Sequence, residues 1–95
     1  MNRMHNPPHP GELIKETMDT LNLSARALAK ALDVAPSTVQ RLISGKSDIS
    51  PEMAIRLSIV IGSSEQVWIG MQDAYDLWQA RQSIDVSKLR KLDFA

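Results

Sequence analysis

Residues Ser24–Lys46 read SARALAKALDVAPSTVQRLISGK, and the pattern of this stretch decides the fold. Leu28, Ala31 and Leu32 recur at helical spacing, and Val39, Leu42 and Ile43 do so again after a break at Asp33-Val34-Ala35. Ser24 has the side chain of a helix cap, and Ala29 is small enough for a second helix to cross closely over the first. Pro36 stands where a first helical residue is preferred, because its missing N–H would be unpaired there anyway. Gly45 supplies a C-terminal stop. The stretch predicts two short helices joined by a tight turn. The second presents Ser37, Thr38, Gln40, Arg41 and Ser44 to solvent. Small hydroxyls, an amide and an arginine on a narrow helix suit the base edges and phosphates of a DNA major groove.

Composition narrows the surroundings of this motif. Ninety-five residues allow one core, and with 4% aromatics that core must come from Leu, Ile, Val, Met and Ala, which favours helices. The absence of cysteine excludes disulfides, thiolate metal sites and a cysteine nucleophile. The apolar run Leu57 to Ile61 is far too short to span a bilayer, and no leader is visible, so the sequence reads as soluble and cytoplasmic. The formal net charge is zero, but residues 24–46 carry Arg26, Lys30, Arg41 and Lys46 against Asp33 alone. Positive charge is concentrated on the two-helix motif, and so small a surplus implies that useful DNA affinity needs two copies.

Residues 1–8 (MNRMHNPP) show no periodicity and read as a flexible arm. His5 and His9 stand four apart, but Pro7 and Pro8 prevent a helix between them, so two solvated histidines are expected and no metal site. A helix begins at Pro10 and runs to about Leu21, with Leu13, Ile14, Met18 and Leu21 inward. Glu12, Glu16 and Asp19 line its outer face, either as a solvated acidic face or as a docking stripe for a basic partner. Ser50-Pro51-Glu52 starts a helix running to about Ile61 that is apolar nearly all round, the pattern of a central, covered helix. Gly62 ends it. Ser63, with Gln66 three residues on, predicts a capping box for the last helix, Ser64 to about Gln82.

That last helix carries two apolar stripes, Val67-Met71-Ala74-Trp78 and Trp68-Tyr75. One suffices for packing, so the second is an extra wall of core or a subunit interface. The interface reading takes Trp68, Met71, Tyr75 and Trp78 as anchors, extended by Ile84 and Val86 in a short extended or loose tail, residues 84–95. The expected organisation is an all-α, five-helix domain over residues 9–83 between arm and tail. An enzyme is excluded: there is no glycine-rich phosphate loop, no histidine paired with a nearby carboxylate in a rigid segment, and too little chain to enclose a pocket. No cofactor is expected.

The motif is a helix-turn-helix, and it resembles that of lambda-repressor/Cro-like proteins in Ala29, Val34, Val39 and Leu42. It departs from them at Asp33, where the motif usually has glycine; aspartate is among the few other residues that tolerate a left-handed backbone. The flanks HPGELIKETM and SPEMAIRLSIVIGSSEQVWIGMQDAYDL extend the likeness, so that His9 to Leu77 resembles the HigA/VapI antitoxins. That resemblance implies a homodimer that represses its own operon by binding double-stranded operator DNA and neutralises a HigB-type (RelE-like) RNase toxin. The alternative is a stand-alone repressor with no toxin. On either reading Ser37, Thr38, Gln40 and Arg41 face bases or flanking phosphates, while Arg26, Ser44 and Lys46 hold the DNA backbone. The resemblance implies a basic toxin, for which Glu12, Glu16 and Asp19 offer a complementary surface away from the DNA face.

Overall fold

The computed structural model describes residues 6–93; the proposed positions of Met1–His5 in the arm, and of Phe94 and Ala95 in the tail, lie outside them. Five helices follow one another: α1 (Pro10–Leu21), α2 (Ala25–Leu32), α3 (Pro36–Ile43), α4 (Pro51–Val60) and α5 (Glu65–Ser83). No strand occurs among the described residues, so the fold is all-α.

Most helix starts follow from residues visible in the sequence. The hydroxyls of Ser24 and Ser50 accept from the amides of Ala27 and Met53 at 3.0 and 3.1 Å, satisfying N–H groups that have no partner within the helix. α5 is capped by Ser64, which accepts from the Val67 amide, rather than by Ser63. Ser63 sits at φ 65°, in the turn, so the expected capping box with Gln66 does not form. Three ends share one device. Asn22, Asp33 and Gly45 adopt left-handed backbone, and the next amide in each case reaches back five residues: Leu23 to Met18, Val34 to Ala29, Lys46 to Arg41. Asp33 does fill the glycine position.

The core gathers Ile14 and Met18 from α1, Leu28, Ala29 and Leu32 from α2, and Val39 and Leu42 from α3. Ile49, the inner side of α4 and Trp68 complete it. Several sequence expectations are corrected here. Leu13, Leu21 and Ala31 are exposed. α1 buries Gly11 instead, and α2 packs through Ala29, so both contact faces are rotated from the simple apolar reading. α4 is not enclosed either: Met53, Ala54 and Leu57 face inward, but Ile55 and Ile59 are 47% and 78% exposed. Its uniform apolarity therefore reports an uncovered face as well as a buried one.

Trp68 is also core. It is 1% exposed, and its indole Nε1–H donates to the Gly62 carbonyl at 2.8 Å, so it cannot anchor a contact between subunits. Met71 packs partly against the core, Tyr75 lies edge-on to His9, and Trp78 is half-buried. The aromatic stripe turns inward. What α5 leaves exposed is Val67 and Leu77, with Gly70 and Ala74 between them.

Candidate nucleic-acid interface

α3 is held on three sides, each by a different kind of contact. From below, Val39 and Leu42 are buried against α2. At its C-terminal end Gly11 of α1 lies so close to the Leu42 carbonyl that a Cβ on residue 11 would overlap it. Glycine is needed there for space, not for backbone freedom. At its start, the turn is clamped by Arg56 of α4, whose Nη1 donates to the carbonyls of Leu32 and Asp33 at 2.7 and 3.3 Å. Those carbonyls belong to the last turn of α2, where a cation is favoured by the helix dipole. The other guanidinium nitrogen, Nη2, meets Glu52 at 3.5 Å.

The loop leaving α3 is fixed by two polar residues whose roles the sequence conceals. Gln72 of α5 is 3% exposed; its Oε1 accepts from the Ile49 amide at 2.8 Å and its Nε2 donates to Asp76 at 3.0 Å. A buried amide needs such partners to offset its lost hydration. His9 is 6% exposed rather than solvated. Its Nδ1 accepts from the Gly11 amide at 2.9 Å and caps α1, which leaves the ring proton on Nε2, 3.5 Å from the Asp48 carboxylate. The HPG sequence is thus a cap and a close approach in consecutive residues. Its sequence signal was proline at the first helical turn; the capping histidine gave none.

On this support Ser37, Gln40, Arg41, Ser44 and Lys46 are exposed, as is Arg26 on α2, while Thr38 is half-buried. Ser37, Arg41 and Ser44 follow at intervals of four and three, which places them along one face of α3 and its end. The Ser44 hydroxyl donates to the Arg41 carbonyl at 3.2 Å and keeps its lone pairs for a further donor. Among the described residues, none of Arg26, Lys30, Arg41 and Lys46 enters an ion pair. Four uncompensated cations around a shallow helix are chemically suited to phosphate oxygens.

Glu12, Glu16 and Asp19 are all exposed, and Asp19 meets Lys15 at 3.7 Å. Their placement needs a correction. Glu12 lines a crevice with His9, Ser44, Gly45 and Tyr75, so the acidic stripe starts beside the end of α3 rather than away from it. No group of three or more acidic, histidine or cysteine residues among the described residues is arranged to hold a metal ion.

A family model described as "Helix-turn-helix" matches residues 14–68. The uncharacterised HTH-type transcriptional regulator YddM of Escherichia coli K12 is 51% identical over 90 residues, spanning 95% of this chain and 96% of its own. Antitoxin HigA-1 of Vibrio cholerae is 36% identical over 76 residues, spanning 79% of this chain and 71% of its own. The chain belongs to the HigA-type helix-turn-helix family. Among solved structures, Pseudomonas aeruginosa PA4674 in complex with its operator DNA superimposes on this HigA-type chain with a TM-score of 0.84 and 33% identity, over 90% of this chain and 97% of the other. The family consists of DNA-binding antitoxins and regulators, not enzymes. No helix among the described residues is long and apolar enough to cross a membrane.

Proposed function

We propose that this HigA-type chain is the antitoxin of a HigBA-type module, acting in the cytoplasm as a homodimer that represses its own operon and neutralises an RNase toxin. The observation that carries the DNA half is the exposed, unpaired set on α3 and its flanks, rigidly held by Gly11, Arg56 and Gln72. Ser37, Thr38, Gln40 and Arg41 read base edges or flanking phosphates; Arg26, Ser44 and Lys46 hold the DNA backbone. Arg41 is the long cationic donor of the reading helix, and a bidentate arginine–guanine contact is worth about 1–3 kcal/mol of discrimination. Arg41→Ala is therefore expected to weaken operator binding roughly tenfold or more and flatten preference at one base position. Lys46→Ala is expected to weaken all sequences alike and lower the salt slope by about one unit. Gel-shift titrations at several salt concentrations measure both. Operator affinity unchanged in Arg41→Ala rules out α3 as the reading helix.

Toxin binding rests on charge. A basic RNase would be steered by Glu12, Glu16 and Asp19, all on one exposed face of α1. Glu12→Lys with Glu16→Lys is expected to slow association with the toxin about tenfold at low salt. Operator binding is kept, because the cation added at position 12 lies beside Ser44, where it favours phosphate. Association kinetics unaffected by the reversal would place the toxin site elsewhere. The alternative, a stand-alone repressor, is supported by the high identity to a protein described only as a transcriptional regulator. A small basic reading frame adjoining the gene separates the two.

For the homodimer, the exposed outer face of α5 replaces the aromatic stripe. Gly70 lies in the second turn of the 19-residue α5, and among the described residues no atom outside its own stretch of helix lies within 4 Å of where its Cβ would be. Glycine there costs about 1 kcal/mol relative to alanine, and no described residue uses the space. Gly70 and Ala74, four residues apart between Val67 and Leu77, let a second α5 cross closely. Two reading helices could then be set about 34 Å apart on one face of DNA.

A further inference from the structure

Beside that face, α4 and α5 flank an open apolar groove of about 340 Å³ that no described residue fills. Ala54, Ile55, Ile69 and Gly70 line it, and Glu65 and Asp73 stand on its rim. At the far end of α5 the chain runs on as residues 84–93, every one of them exposed. Ile84, Val86, Leu89 and Leu92 are 57–70% exposed, so four aliphatic side chains recur at intervals of two or three along a segment exposed throughout. Lys88, Arg90 and Lys91 lie among them.

We infer that the tail of one copy, residues 84–92, lies in the α4–α5 groove of a second copy, and reciprocally. This rests on the homodimer proposed above. Three observations select this occupant. The first is charge: within residues 84–92 Lys88, Arg90 and Lys91 outweigh Asp85, and they meet a groove whose rim carries two carboxylates. The second is direction. Every residue from 84 to 93 is exposed, so the tail leaves the end of α5 without covering its own subunit. The third is geometry. An antiparallel crossing of two α5 helices brings the C-terminal end of one to the N-terminal half of the other, where the groove lined by Glu65, Ile69 and Gly70 opens. The nine residues span roughly 30 Å when fully extended, enough to follow it once the turn at Ser87–Lys88, closed by the Leu89 amide on the Val86 carbonyl at 3.0 Å, opens.

The absence of cysteine makes the test direct. Full-length chains carrying Ile55→Cys or Leu89→Cys are mixed and treated with a short thiol cross-linker. A covalent dimer is expected from the mixture, with a yield that falls as salt rises, and none from Arg26→Cys mixed with Leu89→Cys. Val86→Asp with Leu89→Asp is expected to raise the dimer dissociation constant at least tenfold with an unchanged helical spectrum, since both side chains are exposed in the subunit. A chain carrying both cysteines that links only to itself would overturn the inference in favour of the chain's own tail. An Ile55→Cys thiol open to maleimide until a toxin is added would assign the groove to the toxin. A dimer that persists in sedimentation but gives no cross-link would overturn tail exchange and leave the homodimer intact. A monomer at every concentration would remove both.

Discussion

Trp68→Ala is expected to destabilise the domain by about 3–5 kcal/mol, the range for deleting a buried large aromatic. The indole is the largest fully buried side chain, and its N–H holds the Gly62 carbonyl at the turn between α4 and α5. For a domain of this size such a loss lowers Tm by about 12 °C or more, out of a total stability on the order of 5–15 kcal/mol. Thermal melting followed by circular dichroism measures it, and operator binding should disappear with the helical signal. A variant with the parent's Tm, impaired only in self-association, would return Trp68 to the subunit interface.

Its neighbour in sequence should behave in the opposite way. Val67 and Leu77 are 49% and 52% exposed, so Val67→Asp with Leu77→Asp places carboxylates in water and leaves the core untouched. The expected product is a monomer by sedimentation, with the parent's helical spectrum and a Tm within a few degrees of it. Operator affinity should fall on the order of a hundredfold or more, because the second reading helix no longer binds at the effective concentration set by the first. A double variant that remains dimeric would move the interface off this face of α5. The two experiments together separate the inner and outer sides of one helix.

The sequence was most legible where one residue type answers a local backbone need. Ser24, Pro36, Asp33, Gly45 and Ser50 each satisfy an unpaired group or permit a left-handed turn, and those needs are the same in any fold. Legibility failed where a side chain's role depends on what lies across from it. Gln72 interrupts the apolar pattern of α5, which therefore reads as two stripes that leave it out, although its amide oxygen is spent on the Ile49 N–H. With Gln72 counted as inward, Trp68, Met71, Gln72 and Tyr75 form one face and Val67, Gly70, Ala74 and Leu77 another. Arg56 and His9 escaped for the same reason: an arginine within an apolar helix and a histidine before a proline carry no local sign of the carbonyls and amide they serve. The α3 side chains could be nominated for DNA because exposure and residue type alone sufficed. The α1 carboxylates could not be placed, because the position of Glu12 relative to Ser44 is a property of the packing.

The contact between Gly11 and the Leu42 carbonyl has an energetic consequence for any protein that grips α1. With no side chain between them, the two backbones meet directly, so α1 cannot move toward α3 without displacing the Leu42 carbonyl. A ligand on the acidic stripe that prefers a shifted α1 thereby changes the free energy of seating α3 on its operator. Thermodynamic linkage then fixes the return effect: whatever factor the first ligand imposes on DNA affinity, DNA imposes on that ligand's affinity. A differential of about 1.4 kcal/mol between the two positions of α1 would make that factor ten in both directions.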